Sequence, residues 1–208
     1  YDDARQAYLD VANQFSDHAN VAAKAMLDVG NSYVIEGKLD KGVNVLEQVW
    51  KDYGRVETGF IMPVYIAGLY RNAGTTQEAG RWLEQGERYY RGIAQNEQEP
   101  LSLRLNAFQM LATVYLAQEK WEGALEVLRG MLYDFADSGL ITPQHLRMLT
   151  RMINVTAIAR LRDIDRASGI YRDFIQDHPG HFLNQFLEKI IESLEYLKTQ
   201  EGTAVLQR

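Results

Sequence analysis

The feature of this sequence that most limits its fold is a spacing of small and large residues that recurs along the chain. From Gly30 the steps are +3, +4, +5, +4, +3 and +5, through Tyr33, Gly37, Gly42, Leu46, Val49 and Gly54. The same spacing begins again at Ala67, Ala112 and Val155, after 37, 45 and 43 residues. A period of this length predicts stacked copies of one supersecondary unit.

The composition indicates that this unit is helical. The chain has 208 residues with only 4 Pro and 16 Gly, so residues that interrupt helices are few. With 46% hydrophobic and 24% charged residues it can bury a core, and no apolar run reaches the roughly 18 residues of a transmembrane helix. We therefore predict an all-α protein without a membrane-spanning segment.

Charge and cysteine content exclude several kinds of function. The net charge of −6 disfavours a general nucleic-acid binder, which needs a surplus of Lys and Arg to replace counterions. The absence of Cys removes disulfides, thiolate nucleophiles and cysteine metal sites. The chain begins with Tyr1-Asp2-Asp3 rather than Met, and we interpret it as a piece of a longer protein.

The recurring spacing resembles the tetratricopeptide repeat (TPR), a helix-turn-helix unit of 34 residues. A small residue such as Ala112 or Ala124 would lie where the two helices cross, and Tyr115 and Leu128 would fill the space between layers. The resemblance implies a right-handed superhelix of ten helices in antiparallel pairs, an α-solenoid without a sheet. Ala4, Tyr8 and Val11 occupy the places of Ala167, Tyr171 and Phe174, so the chain would begin in mid-repeat. The predicted segments of this single array are a second helix at 1–17, repeats at 20–54, 57–95, 100–137 and 142–179, and a terminal or capping helix at 181–208.

Prolines predict two helix starts. Pro63 inside a helix would cost about 3 kcal/mol, so a helix should begin or kink near Ile61. Thr142 followed by Pro143 is typical of an N-cap and the first helical position.

The TPR resemblance also implies a binding surface, because the first helices of TPR pairs line a concave groove that accepts a peptide or protein partner. The candidate groove residues in this frame are Lys24, Leu27, Asn31, Val64, Arg71, Asn106, Gln109, Thr113, Met152 and Thr156. Leu116 and Leu149 face the same way in this frame. The Lys- and Asn-rich clamp of chaperone-binding TPR domains is not reproduced, since Leu27 and Val34 stand at two of its places. Such a mixture of apolar and amide side chains suits a peptide backbone and apolar anchors.

The sequence from Tyr1 to Gly54 also resembles, in the spacing of its residues, bacterial envelope TPR proteins of outer-membrane assembly and Tol-Pal coordination. This similarity favours the periplasm or cell envelope over the cytoplasm. The function predicted first is a non-enzymatic scaffold, and the alternative is a regulatory or sensor module that controls a fused output domain. The oligomeric state, the partner and the face that binds it are left open by the sequence.

The residues that could bind a metal or a ligand also have structural interpretations in this sequence. His178 and His181 form the one close histidine pair, and a metal site would need further ligands, so we interpret them as a polar loop. The aromatic residues of the second helices are interpreted as interlayer packing. Six arginines bias the C-terminal half toward positive charge, which leaves a site for an acidic ligand open: Arg129, Arg147, Arg151, Arg160, Arg162 and Arg166. We expect no catalytic residues, metal or cofactor.

Overall fold

The computed structural model describes residues 1–206, and their side chains up to residue 200. This part of the chain forms eleven α-helices and one π-helix: α1 (Asp2–Gln14), α2 (Ala19–Ile35), α3 (Leu39–Tyr53), α4 (Glu57–Phe60), α5 (Met62–Asn72), α6 (Thr76–Gln95), α7 (Leu101–Ala117), α8 (Trp121–Phe135), α9 (Pro143–Asn154), the π-helix (Val155–Arg160), α10 (Ile164–Asp177) and α11 (Asn184–Leu206). The described residues contain no β-strand. Residues 207–208 of the predicted terminal segment lie outside the described residues.

Helices that are neighbours in sequence pack against each other, as α1 does with α2, α2 with α3, α7 with α8, and α10 with α11. The all-α, solenoid-type fold predicted from the sequence is therefore confirmed. Small residues allow the close approach: a methyl group on Gly42 would lie 2.7 Å from the carbonyl oxygen of Gly30. Ala112 and Ala124 are completely buried in the α7–α8 pair.

The expected number of ten helices is wrong, because one predicted first helix is divided into α4 and α5. Ile61 separates the two helices, and Pro63 lies in the first turn of α5. There the missing backbone N–H of proline breaks no helical hydrogen bond. The helix start predicted near Ile61 is thus confirmed. The predicted N-cap at Thr142 is also confirmed: its side chain accepts a hydrogen bond from the His145 backbone N–H, which His145 reciprocates in a capping box.

The chain forms two compact units, one of residues 1–90 and one that begins at Arg91. The first unit contains a cluster of aromatic rings beside its aliphatic core, in which neighbouring rings of Trp50, Trp82, Phe60, Tyr89 and Tyr90 have centroids 5.2 to 5.8 Å apart. The second unit has a mainly aliphatic core that includes Leu125, Leu128, Leu132, Leu149 and Leu187. The limits of the individual repeats stay a prediction.

A buried arginine fixes α1 on α2. Arg5 is only 4% exposed, and its Nη1 donates to Ser32 Oγ at 3.0 Å and to Glu36 Oε2 at 2.6 Å. Its guanidinium lies 4.3 Å from the ring centroid of Tyr33. Hydrogen bonds from Lys38, and then from Arg5, hold the pKa of Glu36 below its usual value. Burying an arginine requires such partners, and the sequence spacing did not predict them.

Candidate functional site

The π-helix that follows α9 widens the helical backbone at the centre of the candidate site. The Leu161 N–H donates to the Thr156 carbonyl at 3.1 Å, which is the five-residue interval of a π-turn. The hydroxyl of Thr156 donates to the Met152 carbonyl at 2.7 Å. Two residues after the π-helix, the backbone of Arg162 has a left-handed φ of 58°. Asp163 then caps α10, because its side chain accepts a hydrogen bond from the Arg166 N–H. Single π-turns within helices often occur at functional sites.

An open cavity of about 440 Å³ lies beside this π-helix. Its walls come from α7, from the first residue of α8, from α9 and from the π-helix itself. The lining residues are Leu116, Trp121, Met148, Arg151, Met152, Val155, Thr156 and Arg160. We call this cavity the α9 pocket. Its volume lies in the range typical of sites that bind small ligands or a few side chains.

The walls of the α9 pocket are mostly apolar, and its only charged side chains are those of Arg151 and Arg160. The guanidinium carbon of Arg160 lies 5.1 Å from the ring centroid of Trp121. Neither arginine forms an ion pair with any described residue. The nearby carboxylate of Glu122 is paired with Arg166. The pocket therefore combines an apolar surface with positive charge that the described chain does not neutralise.

The structure brings three of the predicted groove residues of the second unit into this pocket, Leu116, Met152 and Thr156. Thr156 is only 1% exposed, and its hydroxyl is occupied by the Met152 carbonyl. Gln109 lies at the margin, where its Nε2 donates to Met148 Sδ at 3.4 Å. Asn106 is exposed outside the pocket lining, and the hydroxyl of Thr113 donates back to the Gln109 carbonyl.

Leu149 does not face a groove. Its side chain is 2% exposed and belongs to the core of the second unit. Leu149 lies three residues before Met152, on the side of α9 that faces the hydrophobic core, so its expected place in the groove is wrong.

The predicted groove residues of the first unit have different surroundings. Lys24 and Arg71 are exposed, whereas Leu27, Asn31 and Val64 are half-buried. The Asn31 Oδ1 accepts a hydrogen bond from the Tyr65 hydroxyl at 2.7 Å. This bond joins two first helices, α2 and α5, so the amide oxygen of Asn31 already has a protein partner.

The sequence predicts interlayer packing for Trp121 rather than a place in a pocket. Arg151 and Arg160 belong to the six arginines for which the sequence leaves an acidic ligand open, but nothing in the sequence separates these two from the other four. The spacing of Met148, Met152 and Val155 on one helical face was a usable signal for the pocket. Arg160, eight residues after Met152, also falls on that face, but the spacing predicts neither the π-turn nor the contact of Arg160 with Trp121.

Other candidate groups have structural partners. The ring of His178 stacks on Phe174 with centroids 4.4 Å apart, and His181 Nε2 lies 2.9 Å from Asp137 Oδ1. No group of three or more histidine and carboxylate side chains in the described chain is placed to hold a metal ion. Among the described residues, every helix is too short or too polar to cross a bilayer.

The stacked helix pairs define the class of this molecule as an all-α repeat protein. No family model matches its sequence, and no curated protein matches it. A solved structure of nearly identical TPR-like repeats from Podosopora anserina, assigned to a kinesin light chain, is similar to it with a TM-score of 0.46 and 19% identity. That similarity covers 88% of this chain and 91% of the other chain. The comparisons do not show a resemblance to bacterial envelope proteins.

Proposed function

We propose that this protein is a non-enzymatic scaffold that binds a peptide or protein partner on the surface of its first helices. The observation that carries the proposal is the α9 pocket, an open and largely apolar cavity on α7, α9 and the π-helix. Three residues selected by the repeat spacing, Leu116, Met152 and Thr156, belong to its lining. In the first unit, Leu27, Val64 and Arg71 would contribute a second contact surface. The proposal includes a partner that belongs to a bacterial envelope assembly.

The chemistry of the pocket suits side chains rather than a reacting group. Val155 is 50% exposed at its edge, and a bound apolar side chain would remove this surface from water. Met148 and Met152 are flexible and polarisable, which lets a pocket adapt to anchors of different shape. The lining contains no carboxylate, histidine or cysteine to serve as a general base or nucleophile.

A peptide selection tests this function directly. Random peptides displayed on phage are selected for binding to the immobilised protein. The selected peptides are then synthesised, and their affinity is measured by fluorescence anisotropy. Met152→Glu should weaken their binding about tenfold or more, because it places a carboxylate in an apolar wall. Met152→Ala should weaken binding less, through lost contact area alone.

The control variant is Gln144→Glu, which adds the same charge to an exposed position in the first turn of the same helix. Circular dichroism of all three variants establishes that they are folded. Selected peptides that bind Met152→Glu and the unaltered protein equally would place the binding surface elsewhere and defeat the proposal.

A further inference from the structure

Resting on the function proposed above, we infer that the α9 pocket selects a peptide segment in which a carboxylate side chain lies next to a large apolar side chain. Arg151 and Arg160 would hold the carboxylate. Leu116, Met148 and Met152 would surround the apolar side chain. This assignment defines the chemical class of the partner, an acidic and apolar segment, by the groups that would contact it.

Some arginines of the second unit form an ion pair with a carboxylate, and others do not. Arg129, Arg166 and Arg172 each form an ion pair with a glutamate of the same unit. Arg151 and Arg160 form none with the described residues, although the chain carries a net charge of −6. Arg147, one turn before Arg151 on α9, also has no carboxylate partner there. Unneutralised positive charge on one wall of a pocket attracts and selects an anionic group.

The position of Arg160 suits a contact with a carboxylate side chain of a peptide. Its guanidinium lies with its central carbon 5.1 Å from the Trp121 ring centroid. The five N–H donors of a guanidinium form a planar fork that matches the two oxygens of a carboxylate. The described residues provide no carboxylate for this fork, so it stays available for one from a ligand. The ring also restricts the side chain before binding, which lowers the entropy that is lost when a ligand is bound.

The apolar part of the ligand follows from the other walls. Leu116 lies on α7, Met148 and Met152 lie on α9, and the exposed Val155 lies on the π-helix, so the apolar residues surround the cavity on more than one side. A peptide with acidic residues alone would leave these surfaces wet. A purely apolar peptide would leave two arginines partly desolvated without partners.

The experiment uses the peptides selected as described above, each also made with its Asp and Glu residues replaced by Asn and Gln. We expect the unaltered protein to bind the amide versions about tenfold more weakly, the loss of one charge-assisted contact. Arg151→Gln with Arg160→Gln should abolish this preference. Arg160→Lys should retain part of it, since lysine keeps the charge and the contact with the ring. The matched control is Arg172→Gln, which removes an arginine that already has a carboxylate partner outside the pocket.

Nuclear magnetic resonance locates the bound peptide independently. The indole N–H signal of Trp121, assigned by its loss in Trp121→Phe, should shift on titration with an acidic peptide, and should shift less with the amide version.

The possible results separate this inference from the proposed function. If acidic and amide peptides bind equally well and Met152→Glu weakens both, the pocket binds peptides but the inferred charge selection is wrong. If the Arg172→Gln control loses the preference as completely as the pocket variants, the effect is one of general charge and the inference is also wrong. If Met152→Glu has no effect on any peptide, the proposed function itself fails.

Discussion

The first-helix surfaces of the two units differ, although one repeat frame selected both. In residues 1–90, the Tyr65 hydroxyl bonds to Asn31, so a predicted groove amide serves to join α2 to α5. In the second unit, the π-helix places Val155 and Arg160 beside Met152 around an open pocket. The spacing of the repeats predicts which face of each first helix points toward the neighbouring first helices. The side chains around that face decide whether it is closed by a hydrogen bond or open to a ligand.

The interiors of the two units differ in the residues that lie where helices cross. The first unit uses glycines for its closest backbone contacts, at Gly30, Gly42 and Gly59, whereas the second uses Ala112 and Ala124 at the corresponding crossing. Glycine allows the backbones to approach within a distance that any side chain would prevent. We therefore expect the first unit to tolerate added volume least.

The largest effect should come from Gly59→Ala. A methyl group there would lie 2.0 Å from the carbonyl oxygen of Tyr53, which belongs to the backbone and cannot rotate away. We expect a loss of about 3 kcal/mol or more in unfolding free energy, measured by urea denaturation. The counterpart in the second unit is Gly130→Ala, where the nearest atom is Phe108 Cε1 at 3.8 Å. Because this glycine lies within α8 with room for a methyl, we expect stabilisation of about 0.5 to 1 kcal/mol. Equal midpoints for both variants would contradict the difference between the units.

Overpacking in the second unit should cost less. Ala124 and Ala167 are completely buried, and a leucine at either position adds volume to the packed core. We expect Ala124→Leu and Ala167→Leu each to lower the unfolding free energy by about 1 to 3 kcal/mol. The exposed substitution Glu188→Gln should change it by less than about 0.5 kcal/mol. If all three denaturation midpoints coincide, these alanines do not lie at helix crossings.

Two buried tyrosines, one in each unit, should make stability fall in alkaline solution. Burial raises the pKa of Tyr90 and of Tyr171 far above the usual value. Above pH about 10 the unfolded chain releases these protons and the folded chain retains them, so unfolding becomes easier as pH rises. The contribution is fully present below pH 10 and then declines by about 1.4 kcal/mol per pH unit for each tyrosine.

The matching variants isolate this effect. Tyr90→Phe and Tyr171→Phe should each flatten the decline between pH 10 and 11, measured as unfolding free energy at several pH values. At neutral pH, Tyr90→Phe should be destabilising by about 1 to 3 kcal/mol, because the buried Phe60 carbonyl loses its 2.7 Å hydrogen bond. A pH dependence identical in all three proteins would show that neither phenol is buried in solution.

The smallest effect concerns the bond that joins the first helices. Tyr65→Phe removes the donor to Asn31 and should lower the unfolding free energy by about 0.5 to 1.5 kcal/mol, since both residues are half-buried. In the double variant with Asn31→Ala, the two losses should be less than additive. Strictly additive losses would mean that this bond does not form. The amide of Asn31 would then be open to a ligand, as the α9 pocket of the second unit is.

The sequence by itself determined the elements whose causes are local. The recurring spacing predicted helix pairs, Pro63 predicted the start of α5, and Thr142 predicted a helix cap, because proline and capping geometry depend on residues within one turn. The spacing also identified Met152 and Thr156 as residues of a shared helix face.

Tertiary structure decided everything that depends on partners distant in sequence. Arg5 is buried because Ser32 and Glu36 lie beside it, and Asn31 is occupied because Tyr65 lies within hydrogen-bonding distance. Helical periodicity places Arg160 on the face of Met152, but Arg160 meets Trp121 only because α8 packs against the π-helix. Whether an arginine meets a carboxylate or is left for a ligand is a property of the packed chain, because it depends on which side chains the fold brings within a few ångströms.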